Sequence, residues 1–191
     1  RLIEDLLDLS RLDAGQMALD DGEVDLRAVI DDTVRMLELR ARREKVALAV
    51  EIGPALPRLR GDRGRLQQVL INLIANAVKF TPTNGRVTVR AALAASGDMS
   101  VRIADTGIGI PPPLRAQVFE PFFQVAGGEQ AEGVGLGLSI VRRLVELHGG
   151  TVAILDEPPP GTVFEVLLPR ARVLSAPSPA PGVDPQRRLP L

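Results

Sequence analysis

"RIADTGIGIPPPLRAQVFEPFFQ", residues 102–124, carries a hydrophobic run up to one acidic residue, Asp105, and then breaks into Gly-Ile-Gly-Ile and three prolines. Val, Ile and alternation before Asp105 predict a strand, and the glycines and prolines after it end regular backbone. A carboxylate at a strand end accepts hydrogen bonds and donates none, which suits an exocyclic amino group. Gly107 and Gly109 permit positive φ and leave room for a ligand against bare backbone. Taken alone, the same residues also read as a strand closing in an ordinary glycine turn.

Working outward, "GRVTVRAAL" and "SVRIAD" are strands joined by a turn at Gly97-Asp98. Residues 106–135 are loop-like, rich in glycine and proline, with a short helix expected around Leu114 to Phe119. A loop of that length inside a compact domain is usually functional or disordered. Upstream, "GDRGRLQQVLINLIANAVKF" reads as a long buried helix starting near Asp62 as N-cap, "VALAVEI" as a strand, and the segment from Asp25 as an amphipathic helix. Downstream, "GLSIVRRLVELH" is a helix ended by Gly149-Gly150, followed by strands at "TVAIL" and "TVFEVLLP".

The ends read differently. Residues 1–14 place apolar side chains at 2, 3, 6, 9 and 12, the narrow stripe of a bundle helix running to about Met17. After Pro169, "SAPSPAPGVDPQ" has too few apolar residues to pack. The expected organisation is therefore a helix end at 1–18, one domain at 19–170 and a Pro-rich tail or linker at 171–191.

Composition narrows the function. The 191 residues are 45% hydrophobic and 25% charged, with net charge -1 and no dense Lys/Arg cluster, which argues against nucleic acid as a ligand. Without cysteine there is neither a disulfide framework nor a thiolate metal site. The longest apolar stretch, "VLINLIANAV" at 69–78, is interrupted by asparagine and too short to cross a bilayer, so no direct membrane contact is expected.

Two further stretches bear on chemistry. Asn72 and Asn76 are spaced i, i+4 and project from one helix face, and an unpaired buried amide costs about 1–3 kcal/mol. They either cap a neighbouring loop or meet a ligand, and a carboxamide oxygen suits Mg²⁺, with Lys79 one turn further on. In "GVGLGLSIV", Gly133, Gly135 and Gly137 lead into a helix start that offers free N–H groups to an anion, or serve as a plain hinge.

In their order, these stretches resemble the ATP-binding core of sensor histidine kinases, in the superfamily that also contains gyrase, Hsp90 and MutL. "LQQVLINLIANAVKFTP" looks like the N box, "DTGIGI" the G1 box, "FEPFF" the F box and "GVGLGLSIV" the G2 box. "LVELHGGTVAI" and "GTVFEVLLP" resemble the closing strands, and "RLIEDLLDLSRLDAGQM" the end of the dimerisation hairpin. The resemblance implies a Bergerat-type two-layer α/β sandwich: a mixed sheet of about five strands, three helices on one face and a mobile ATP lid. It also implies ATP and Mg²⁺ as cofactors. Asp105 would accept from the adenine amino group, Asn76 would ligate Mg²⁺ with Asn72 beside it, and Lys79 would lie near the phosphates. Gly107, Gly109, Gly133, Gly135, Leu136, Gly137, Leu138 and Thr162 complete the implied nucleotide site, with a lid from about Pro111 to Val134.

Two departures stand out: no Lys or Arg lies between Arg115 and Arg142, and Pro159 replaces a common turn glycine. Hydrolytic relatives carry a glutamate where this chain has Asn72, and an amide is no base, so transfer to a protein acceptor fits better than hydrolysis. The single histidine, His148, sits at a helix end and is expected to cap or pack. The acceptor histidine is expected upstream of residue 1, leaving no catalytic residue beyond the ATP site. Implied partners are a second copy through the dimerisation helices and a response regulator or fused receiver domain, in the cytoplasm, with membrane anchoring of the parent left open. A nucleotide-sensing module without transfer activity and an anti-sigma-type serine kinase are the alternatives.

Overall fold

Two aspartates in extended backbone start the two longest helices. Asp25 accepts from the Ala28 N–H at 3.1 Å and Asp62 from the Arg65 N–H at 3.0 Å, each satisfying a first-turn donor. A computed structural model describes residues 2–53, 56–124, 134–156 and 161–174. In chain order the elements are α1 (Leu2–Asp13), β1 (Gly22–Val24), α2 (Leu26–Arg43), β2 (Ala47–Ile52), β3 (Leu59–Gly61), α3 (Arg63–Phe80), β4 (Arg86–Leu93), β5 (Met99–Asp105), α4 (Gly137–Leu147), β6 (Thr151–Ile154) and β7 (Val163–Leu168).

The main sheet has order β2-β4-β5-β7-β6, parallel between β2 and β4 and antiparallel elsewhere. Its register puts Val50, Val89, Ile103, Phe164 and Ile154 in one row across all five strands, on the face that α2, α3 and α4 cover. In the adjacent row of the register the pleat reverses, and Glu51, Arg90, Arg102 and Glu165 form a charged row on the opposite face. Arg90 pairs outward with Glu51 at 2.7 Å and Arg102 with Glu165 at 2.8 Å, so the two facing arginines each have a carboxylate on the other side. This is the expected two-layer sandwich.

On α3 the buried residues Leu66, Val69, Leu70, Leu73, Ile74, Ala77 and Val78 recur every three or four positions, and on α4 Ile140, Val141, Leu144 and Val145 do the same. Their stripes meet over the sheet. Asn72 and Asn76 lie at the border of the α3 stripe, half-buried.

Several expectations are corrected. The first helix stops at Asp13 rather than near Met17, because the chain turns through Gly15 at φ 63°. The short helix expected at 114–119 is two 3-10 turns, Pro112–Leu114 and Gln117–Phe119, since three prolines cannot donate into an α-helical ladder. β1 and β3 form a separate antiparallel ribbon that alternation could not reveal in three-residue strands. Residues 171–174, expected to open the tail, are held against the domain. Residues 170–172 make a 3-10 turn, Val173 bridges Leu59, and the Leu174 N–H donates to Arg58 O at 2.8 Å. Residues 175–191 and 125–133, the latter within the expected lid, lie outside the described residues, as do Gly133 and Pro159. Among the described residues no helix is long and apolar enough to cross a membrane.

Candidate functional site

β5 delivers Asp105 to the end of the sheet beside the turn that opens β7. One oxygen, Oδ1, accepts from the Gly107 N–H at 2.8 Å and the Thr162 N–H at 3.1 Å, while the Asp105 N–H donates to Thr162 O at 2.9 Å. Oδ2 has no hydrogen-bond partner among the described residues, yet Asp105 is only 8% exposed. Burial pushes its carboxyl group above the usual aspartate range, and the two N–H bonds partly offset this. The result is a fixed acceptor with one oxygen left open.

The glycines divide into two kinds. At Gly107 a Cβ would lie 2.4 Å from Phe80 O, at Gly161 1.7 Å from Asp105 O and at Gly135 2.7 Å from Phe123 O. These three are demanded by the chain's own packing, as Ile108 N–H donating to Phe80 O at 3.3 Å also indicates. Gly109, at φ 73°, is fixed by its backbone conformation. Gly137 differs: a Cβ there would meet only Asn72 Cγ, at 3.9 Å. Among the described residues nothing crowds a Cβ at that helix start.

α3 and α4 meet at this point. Asn72 Nδ2 donates to Gly137 O at 3.3 Å, while the Asn76 carboxamide bonds no described group. Among the described residues α4 has no side-chain N-cap, and its first N–H groups are of the kind that bind an anion. Leu136 is in the core, with its carbonyl accepting from Ser139 Oγ at 2.8 Å, and Leu138 packs on the core edge. Both leucines therefore brace the helix start. The Lys79 ammonium lies 5.0 Å from the centroid of the Phe80 ring. Among the described residues no cluster of three His, Cys, Asp or Glu could hold a metal ion. The donor set present, an unbonded carboxamide one turn along α3 from Asn72 and a helix start without a side-chain cap, fits a cation arriving with a polyphosphate.

A cleft of about 200 Å³ borders Asp105, Thr106, Ile110, Arg115, Gly161 and Thr162. Asn72, Asn76 and Gly137 do not line it; hydrogen bonds join Asp105 with Gly107 and Thr162 at the end of β5, and Asn72 with Gly137 at the α3–α4 contact. Arg115 and Gly161 were not singled out in sequence. Arg115 donates from Nε to Ile110 O at 3.2 Å and pairs with Asp156 at 3.0 Å across 41 positions, which no local pattern announces.

His148 is fully buried at the end of α4, with Nδ1 2.7 Å from Leu144 O and Nε2 accepting from the Asp62 N–H at 3.1 Å. Both ring nitrogens are occupied, in keeping with a packing role.

Residues 61–172 match the family described as histidine kinase-, DNA gyrase B- and HSP90-like ATPase. This chain belongs to that family. It is a histidine-kinase-type ATP-binding core, 37% identical over 188 residues to the circadian input-output histidine kinase CikA of Synechococcus elongatus, covering 96% of this chain and 25% of that protein. Full-length ShkA solved with AMPPNP superposes with a TM-score of 0.81 at 34% identity, over 92% of this chain and 36% of that one. The histidine kinase ThkA, solved with the response regulator TrrA, superposes at 0.70 and 26% identity, over 88% and 48% of the two chains. The chain thus spans a quarter to about half the length of these relatives.

Proposed function

We propose that this kinase core binds Mg-ATP and presents its γ-phosphoryl group to a histidine on a dimerisation helix upstream of residue 1, for relay to a response-regulator aspartate. The observation that carries the reading is Asp105, with one oxygen held by two backbone N–H groups and the other open to take a hydrogen bond from the adenine amino group. Gly137 and the start of α4 face the phosphates, and Asn76 offers its carboxamide oxygen to Mg²⁺. Bound magnesium would neutralise phosphate charge, a load this chain's lid shares poorly, since it has no Lys or Arg between Arg115 and Arg142.

In the transfer, a nitrogen of the acceptor imidazole forms a bond to γ-phosphorus as the bond to the β–γ bridging oxygen breaks, and ADP departs. Positioning and charge stabilisation carry such a step. Asn72 cannot take a proton from water, which favours transfer over hydrolysis. His148, with both nitrogens engaged, does not receive the phosphoryl group.

Ile3, Leu6 and Leu7 on α1 are exposed, as expected of a helix that continues into a dimeric hairpin. The ThkA complex supports a response regulator as downstream partner, and a reaction that consumes ATP fits the cytoplasm. The test is to incubate the chain and labelled ATP with a separately made dimerisation domain of a relative. Acid-labile phosphate on that domain is expected; binding of ATP without any transfer would instead favour a nucleotide-sensing module.

A further inference from the structure

α3 and α4 run antiparallel and are tied by hydrogen bonds at two points. Near the nucleotide groups, Asn72 Nδ2 donates to Gly137 O at 3.3 Å; at the far end, the Asp62 N–H donates to His148 Nε2 at 3.1 Å. Asp62 to Asn72 and Gly137 to His148 are stretches of nearly equal length, about 15 Å each. The ties therefore pin the same span of both helices. Apolar contacts between the helices resist separation, but sliding along the axis is opposed more sharply by directional bonds.

The far tie works in one protonation state. Leu144 O can only accept, so His148 Nδ1 carries the hydrogen; the Asp62 N–H can only donate, so Nε2 must be bare. A proton on Nε2 would set two donors against each other. The charged groups around the ring offer no rescue. The Asp62 carboxylate is taken by the Arg65 and Asp20 N–H groups, and Arg172 donates to His148 O while pairing with Asp21 at 2.8 Å. Burial, with Arg172 adding to it, holds the ring below the usual histidine range against the opposing pull of the Leu144 carbonyl and, more weakly, of Asp62 and Asp21.

We propose that His148 is a positioning residue for nucleotide binding: its neutral ring keeps the phosphate-facing start of α4 aligned with the Asn72–Asn76 face of α3, and protonation releases that alignment. The inference rests on the nucleotide reading above. It assigns a histidine outside the site, at the opposite end of the helix, a graded effect on affinity.

Titration of Mg-ADP into the chain tests it, at pH 7.5 and 5.5, with His148→Gln, His148→Asn and His148→Leu. Glutamine carries an acceptor oxygen out to the reach of Nε2, whereas asparagine reaches only as far as Nδ1. Affinity close to the parent's is expected for His148→Gln, and a loss of about ten-fold for the other two. As pH falls through the ring's own titration, below the ordinary histidine range, the parent is expected to weaken toward the same factor and His148→Gln to weaken less. Because the sequence has one histidine, imidazole nitrogen shifts read its tautomer and titration directly even if the Asn and Leu variants fail to fold. Affinity that stays constant through the ring's titration, or folded Asn and Leu variants that bind like the parent, overturns the proposal. A parent that binds no nucleotide at pH 7.5 overturns the functional reading itself, and this inference with it.

Discussion

Gly161 lies so close over Asp105 that a Cβ on it would sit 1.7 Å from the Asp105 carbonyl oxygen, and its φ of 105° is one that side chains rarely adopt. The turn before β7 is thus fitted onto the residue that ends β5, and the Thr162 N–H reaches the carboxylate only because of that fit. Gly161→Ala is expected to destabilise the fold by about 3 kcal/mol or more. Denaturant unfolding measures it, and a change below about 1 kcal/mol would show that the turn relaxes without disturbing β5.

Asp105 is held at a cost in stability. Its folded-state carboxyl titrates above its unfolded value, so the folded chain binds the proton more tightly, and stability falls as pH rises from about 4 through the folded value. Asp105→Asn removes that slope. Nucleotide-free Asp105→Asn is expected to be at least as stable as the parent at pH 7, with the parent recovering relative to it as pH is lowered to 4. Urea unfolding at the two pH values checks this, and a variant clearly less stable at pH 7 would contradict it.

The sequence made Asp105, Asn72, Asn76 and the glycine run legible because each breaks a local pattern: a charge ending a strand, amides on an apolar helix, glycines before a helix. It also led to the five-strand sheet, since strand alternation records which face is buried. It did not announce that the missing Cβ of Gly107 makes room for Phe80 O. The β1–β3 ribbon, the Arg115–Asp156 pair and the seating of Arg172 were illegible for one reason. Each joins residues far apart in the chain through a few backbone or charged groups that leave no periodicity behind.

The two amides on α3 should separate in experiment. Asn72→Ala removes a bond to Gly137 O and is expected to cost about 1 kcal/mol of stability. Asn76→Ala breaks no described bond and is expected to stay within about 0.5 kcal/mol of the parent, yet to abolish the dependence of nucleotide affinity on magnesium. Thermal unfolding together with titrations in magnesium and in a chelator separates the two, and Mg-dependence surviving in Asn76→Ala would remove that residue from the metal site.

Arg172 fastens the C-terminal turn by donating to His148 O, Arg60 O and Asp21, the last at 2.8 Å. Arg172→Ala is expected to cost about 1–2 kcal/mol, discounted for the partial exposure of the Asp21 pair. Ending the chain after Pro169 should cost at least as much, whereas ending it after Leu174 should cost little. Equal stability of the two truncated chains in urea would show that residues 170–174 do not hold the domain together.

The most direct test of the central claim is calorimetric titration of Mg-ADP into the chain and into Asp105→Asn at neutral pH. Saturable binding by the parent and a loss of about a hundred-fold or more in the variant are predicted, since a buried acceptor has been replaced by a group that can turn a donor toward the adenine amino group. Comparable affinities for the two proteins would contradict the assignment of Asp105 to adenine.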